Sequence, residues 1–104
     1  MTKAVAKTGY LEKSVEQYLR KEVEKHGGRC IKQDSETGIP DRLVLTDDGR
    51  HCFVEVKRPG GTLSAIQKEY HKRLQNKGHL VFVLWNFEDV DNFVKDYFKP
   101  KKGK

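Results

Sequence analysis

Apolar side chains recur along this chain in two rhythms, and the switches between them mark its elements. Leu11, Val15, Leu19 and Val23 fall at every fourth position with Tyr18 beside them, the spacing of one helix edge. The spacing predicts a helix from about Gly9 to His26, stopped by Gly27-Gly28. Arg29 to Gln33, carrying Cys30 and Ile31, reads as a short strand. Two compact apolar runs, Leu43 to Leu45 and Cys52 to Val56, flank Asp47-Asp48-Gly49 and predict a strand, a tight turn and a second strand. Pro59-Gly60-Gly61 then breaks the chain before a helix from about Ser64 to Lys77, with Ile66, Tyr70 and Leu74 as its apolar stripe and Gly78 as its stop. Leu80 to Trp85 is the most apolar run, too short for a helix, and is expected to be a strand buried on both faces. Asn86 can cap a last helix from Phe87 to about Lys99, whose core face is Val90, Phe93, Val94 and Tyr97 and which Pro100 ends. The order is α-β-β-β-α-β-α, an α/β chain without internal repeats or a dividing linker. Residues 1–8 and 100–104 are expected to be flexible basic tails.

Acids interrupt this pattern where a core strand should have none. Asp41 opens the second strand, and Glu55 sits in the third between Val54 and Val56. Lys57 follows at i+2, on the same face as Glu55. Whether Asp41 joins them depends on the turn. A three-residue loop of Asp47, Asp48 and Gly49, a type I turn ending in a left-handed glycine, pairs Thr46 with Arg50 and counts back to Leu43 with Phe53 and Asp41 with Glu55. A two-residue turn on Asp48-Gly49 would shift the register by one and separate the carboxylates. The three-residue loop is the expected one. An ionised carboxylate in such a place costs several kcal/mol or more unless it is paired, and a metal ion would be an adequate partner.

The rest of the composition narrows the class. The 104 residues make one domain, and with charged residues at 35% and apolar ones at 36% the core must be small and the surface well solvated. No apolar window is long enough to span a membrane and no signal peptide precedes the first helix, so a cytoplasmic location is expected. Cys30 and Cys52 lie in predicted strands without metal-type spacing and are expected to be buried thiols in a reducing compartment. A net charge of +6 points to a polyanionic partner. Lys32, Arg42, Arg58, Lys68, Lys72 and Arg73 lie nearest the acids, whereas Lys3, Lys7 and the Lys99 to Lys104 lysines sit at the ends.

The string Gly38-Ile39-Pro40-Asp41-Arg42, thirteen residues, Glu55-Val56-Lys57, then Pro59-Gly60-Gly61 and Gln67 resembles the VRR-NUC family of the PD-(D/E)xK nuclease superfamily. A bare Asp…Glu-x-Lys would be weak; the extended string is specific and covers the middle third of the chain. The resemblance implies a restriction-endonuclease-like core, a mixed sheet flanked by helices, and Mg²⁺-dependent hydrolysis of DNA phosphodiester bonds, with Mn²⁺ as substitute. It implies Asp41 and Glu55 as metal ligands with the Val56 backbone carbonyl, and Lys57 orienting the attacking water and stabilising transition-state charge. It also implies Gln67 holding that water or a phosphate oxygen, although Ser64 to Gln67 is a capping-box spacing too. A glutamate of the first helix often completes such a site. Glu16, eleven residues before Gly27, is the candidate, directly or through water; Glu12 competes, and on residues alone Glu16 would simply pair with Arg20. Lys32, Arg42, Arg58, Lys68 and Lys72 are the expected DNA contacts, the loop 34–38 is expected to be a mobile mouth, and His71 a surface histidine. A lone small domain looks like the stand-alone, phage-type members, similar to Holliday-junction resolvases that act as homodimers. A flap-type nuclease and a non-catalytic DNA-binding module of the same fold are the rival readings.

Overall fold

The computed structural model describes residues 9–98. In chain order they form α1 (Gly9–Lys25), β1 (Arg29–Lys32), β2 (Arg42–Leu45), β3 (His51–Val56), α2 (Ala65–Asn76), β4 (Val81–Leu84) and α3 (Phe87–Tyr97). That is the predicted order, with ends differing by one or two residues. The tails, including Lys3, Lys7 and Lys99 to Lys104, lie outside the described residues.

One four-stranded sheet, ordered β1-β2-β3-β4, holds the molecule together. The first two pairings are antiparallel and β3 pairs parallel with β4, because only the last connection carries a crossover helix, α2. Even-numbered residues of β2 and β3 turn to one side, where Val44, Cys52, Val54 and Val56 are fully buried under Val15, Leu19 and Val23 of α1 and Val90, Phe93 and Val94 of α3. Burying each such aliphatic side chain stabilises the fold by roughly 1.5–3 kcal/mol. Cys30 and Cys52 are buried free thiols, and burial pushes them up to about 11 and about 12.

The turn forms as the three-residue loop. Thr46 N–H donates to the Arg50 carbonyl at 2.9 Å, Gly49 takes φ +91°, and Leu45 faces His51 while Leu43 faces Phe53. The last ladder pair is Arg42 with Val54, so Asp41 stands one step beyond it, at the level of Glu55.

β4 departs from expectation. It lies at the sheet edge, and Val81, Phe82 and Val83 are only half-buried; Leu84 alone is buried. Helix α2 covers only part of the second sheet face, so an apolar run read as doubly buried is in fact half open. Its own stripe differs as well: Ile66 is 55% exposed, Tyr70 and Leu74 are half-buried, and the buried residue is His71.

The loop conformation makes Gly49 sensitive to substitution even though a methyl group there would touch nothing within 4 Å. Gly49→Ala should cost about 1–2 kcal/mol from the left-handed backbone alone, read as a lower urea midpoint with an unchanged m-value, and should leave the site chemistry intact.

Candidate active site

Three segments converge at the end of β3. The first is the approach to β2. Pro40 is fully buried, its carbonyl accepts from Gln33 Nε2 at 3.1 Å, and the Asp41 carbonyl accepts from Gln33 N–H at 2.7 Å. The preceding loop touches α2: the Tyr70 hydroxyl donates to Glu36 at 2.6 Å, and Gly38, at φ +92°, lies against Ile66. A Cβ at position 38 would stand 2.6 Å from the Ile66 side chain and 3.0 Å from its carbonyl oxygen. Both the backbone angle and the close approach therefore require glycine at the head of the Gly-Ile-Pro-Asp-Arg string.

The second segment is β3 itself. Asp41 Oδ2 accepts from the Val56 backbone N–H at 3.0 Å, which brings its carboxylate to the Glu55 position. Glu55 is 1% exposed. Burial, followed by the neighbouring Asp41 charge, pushes its carboxyl up to about 8, against a smaller opposing pull from Lys57. Lys57 is half-buried, and its backbone N–H is fixed on the Leu84 carbonyl at 2.9 Å.

The third segment is the first turn of α2. Ser64 Oγ accepts from Gln67 N–H at 3.1 Å while Gln67 Oε1 accepts from Ser64 N–H at 2.9 Å, a complete capping box. Using Oε1 for the cap leaves Nε2 free to donate to Glu55 Oε2, at 3.2 Å. One end of the amide thus completes the cap and the other meets the Glu55 carboxylate.

One turn on, His71 points inward, 5% exposed, with Nε2 3.5 Å from Glu55 Oε1. This corrects the surface-histidine reading: α2 turns its His71 edge to the sheet because Glu55 is there to be covered. Sequence reasoning missed it, although Gln67 and His71 at i and i+4 share a helix face.

Glu16 pairs with Arg42 rather than with Arg20. Arg42 shares a sheet face with its partner Val54, toward α1, and meets Glu16 there at 3.6 Å. Arg20 pairs instead with Glu24, at 3.4 Å. Among the described residues no three His, Cys, Asp or Glu side chains come together as a metal cluster, and Glu12 is likewise outside any such group. Of the basic residues, Lys32, Arg58, Lys68 and Lys72 are exposed, while the Arg42 side chain is 13% exposed and engaged with Glu16.

Two adjacent carboxyl groups, one of them buried and uncharged at neutral pH without a counter-ion, fit an oxygen-preferring divalent cation. Mg²⁺ keeps most of its waters and is commonly held by one or two protein carboxylates. The orphaned Glu55 Oε1, buried without a hydrogen-bond partner, points the same way.

The fold and this constellation define a nuclease domain of the PD-(D/E)xK kind. The VRR-NUC domain matches residues 2–86. A protein named "Putative nuclease p44" from Acyrthosiphon pisum secondary endosymbiont phage 1 is 43% identical over 75 residues, covering 70% of this chain and 81% of its own length. A solved structure described as "VRR_NUC domain" superimposes with a TM-score of 0.75 at 31% identity, over 83% of this chain and 96% of that one. The chain belongs to the VRR-NUC family.

The Glu55 shift has a measurable sign. The folded protein holds a proton that the unfolded chain releases near pH 4.5, so between about pH 4.5 and about pH 8 the unfolded state binds fewer protons. In EDTA the melting temperature should therefore fall as pH rises across that window and level off above it. Glu55→Gln should flatten the slope and melt higher than the parent at pH 8. A parent protein whose stability rises from pH 5 to pH 8 through this group would contradict the assignment.

Proposed function

We propose that this chain is a divalent-cation-dependent, structure-selective DNA endonuclease that acts as a homodimer on branched DNA, in the manner of a Holliday-junction resolvase. The observation that carries the chemistry is the buried Glu55 carboxylate set against Asp41, with Lys57 on the same face of the strand. Asp41, Glu55 and the Val56 backbone carbonyl would hold Mg²⁺, or Mn²⁺ in its place, and Glu16 would serve from the outer shell through water. When bound, the cation supplies a lowered water pKa and charge neutralisation at the phosphate. Lys57 places its ammonium beside the attacking water and against the negative charge that gathers in the transition state. Gln67 keeps Glu55 turned toward the reacting phosphate. Lys32, Arg58, Lys68 and Lys72 contact the DNA backbone. Arg42, bound to Glu16, acts by holding that acid in place and contacts phosphate only after releasing it.

Structure selectivity is favoured because the basic residues near the site suit phosphates, whose contacts carry no sequence information. The dimer is supported by the half-open edge strand β4, flanked by Leu80 at 51% and Phe87 at 45% exposure. Two coordinated cuts in a four-way junction require two sites related by symmetry.

A purified-protein assay on junction, flap and linear duplex substrates, with Mg²⁺ and with EDTA, tests this reading. Glu55→Ala and Asp41→Ala should abolish cutting, and Lys57→Ala should slow it about 100- to 1000-fold, with the fold intact by circular dichroism. Removing Lys68 and Lys72 should weaken junction binding and flatten its salt dependence, each lost phosphate contact lowering the logarithmic slope by about one. Cutting by Glu55→Ala at the parent rate would refute the proposal, and binding without cutting would favour the non-catalytic module.

A further inference from the structure

Glu55 Oε1 and His71 Nε2 are both buried, neither has a hydrogen-bond partner, and they face each other 3.5 Å apart. Native interiors leave few polar atoms unpaired, and two orphans directed at one another make a contact that lies just short of closing. The two side chains are 2% and 6% exposed, so both atoms are closed off from bulk solvent. The other Glu55 oxygen is already held by Gln67, one helical turn before His71. Helix α2 thus presents a donor to each oxygen of one carboxylate. An imidazole protonated at Nε2 offers its N–H in the required direction.

We propose that His71 is a positioning residue for Glu55: its Nε2–H closes onto Oε1 while Gln67 holds Oε2, fixing the carboxylate as a rigid cation ligand. An ionised carboxylate has about four lone-pair sites. Two donors from α2 occupy one on each oxygen and leave the others turned away from the helix, toward Asp41. The inference rests on the metal-binding reading of Asp41 and Glu55. It assigns His71 a role through Glu55 and no contact with cation or DNA.

The test is Mn²⁺ titration of the full chain by calorimetry, without DNA, for the parent, His71→Gln and His71→Met. Glutamine can return an N–H near the Nε2 position; methionine fills the same space without a donor, so both variants preserve the packing. The expected result is a loss of Mn²⁺ affinity of about tenfold or more in His71→Met, largely recovered in His71→Gln. Electron spin-echo spectra of the Mn²⁺-loaded parent should show no directly coordinated nitrogen. Equal affinity in all three proteins would overturn the positioning role and leave the metal site standing. A directly bound imidazole nitrogen would overturn it by making His71 a ligand. Absence of Mn²⁺ binding in the parent would remove the metal reading and this inference together.

Discussion

A carboxylate where the packing calls for a hydrophobe is the constraint on which this molecule turns. Glu55 occupies a central strand position between two fully buried valines and is itself closed off from solvent. Its environment is arranged around that one group: Asp41 comes from the residue just before the neighbouring strand, and Gln67 and His71 from the helix that follows. Each of these contacts would be dispensable had position 55 been a valine. A protein that keeps such a group trades stability for function, since the apolar alternative would be easier to fold.

The scaffold explains how the geometry is held. The hairpin loop ending at Gly49 fixes the β2–β3 register, and that register brings Asp41 level with Glu55. Gln33 fixes the entry to β2 from the other side, and Gly38 lets the incoming loop lie on Ile66. The capping box at Ser64 sets the first turn of α2, so that Gln67 caps the helix and reaches the carboxylate with the same amide. Preorganisation here comes from backbone hydrogen bonds and caps, which order the acids before any ligand arrives.

Most of this was legible in the chain. Apolar spacing placed all seven elements of the described region, because long periodic runs report directly on which face is buried. Turn chemistry gave the register, since only a few loop geometries suit Asp-Asp-Gly. What was missed shares one cause: periodicity records apolar burial and is blind to polar burial. His71 lies inward because a carboxylate needs a lid, and its neighbours Ile66 and Tyr70 are more exposed than their type suggests. Glu16 met Arg42 across the sheet rather than Arg20 along the helix, a tertiary pairing that no local rule forecasts. The half-open β4 was read as a doubly covered strand because an apolar run does not reveal whether its second face is covered by its own chain.

The most direct measurement is anomalous diffraction from a crystal soaked in manganese. The account predicts one strong peak within coordination distance of both Asp41 and Glu55, with His71 bonded to the far side of the Glu55 carboxylate. A crystal with manganese at other sites but no density between those two acids would contradict it.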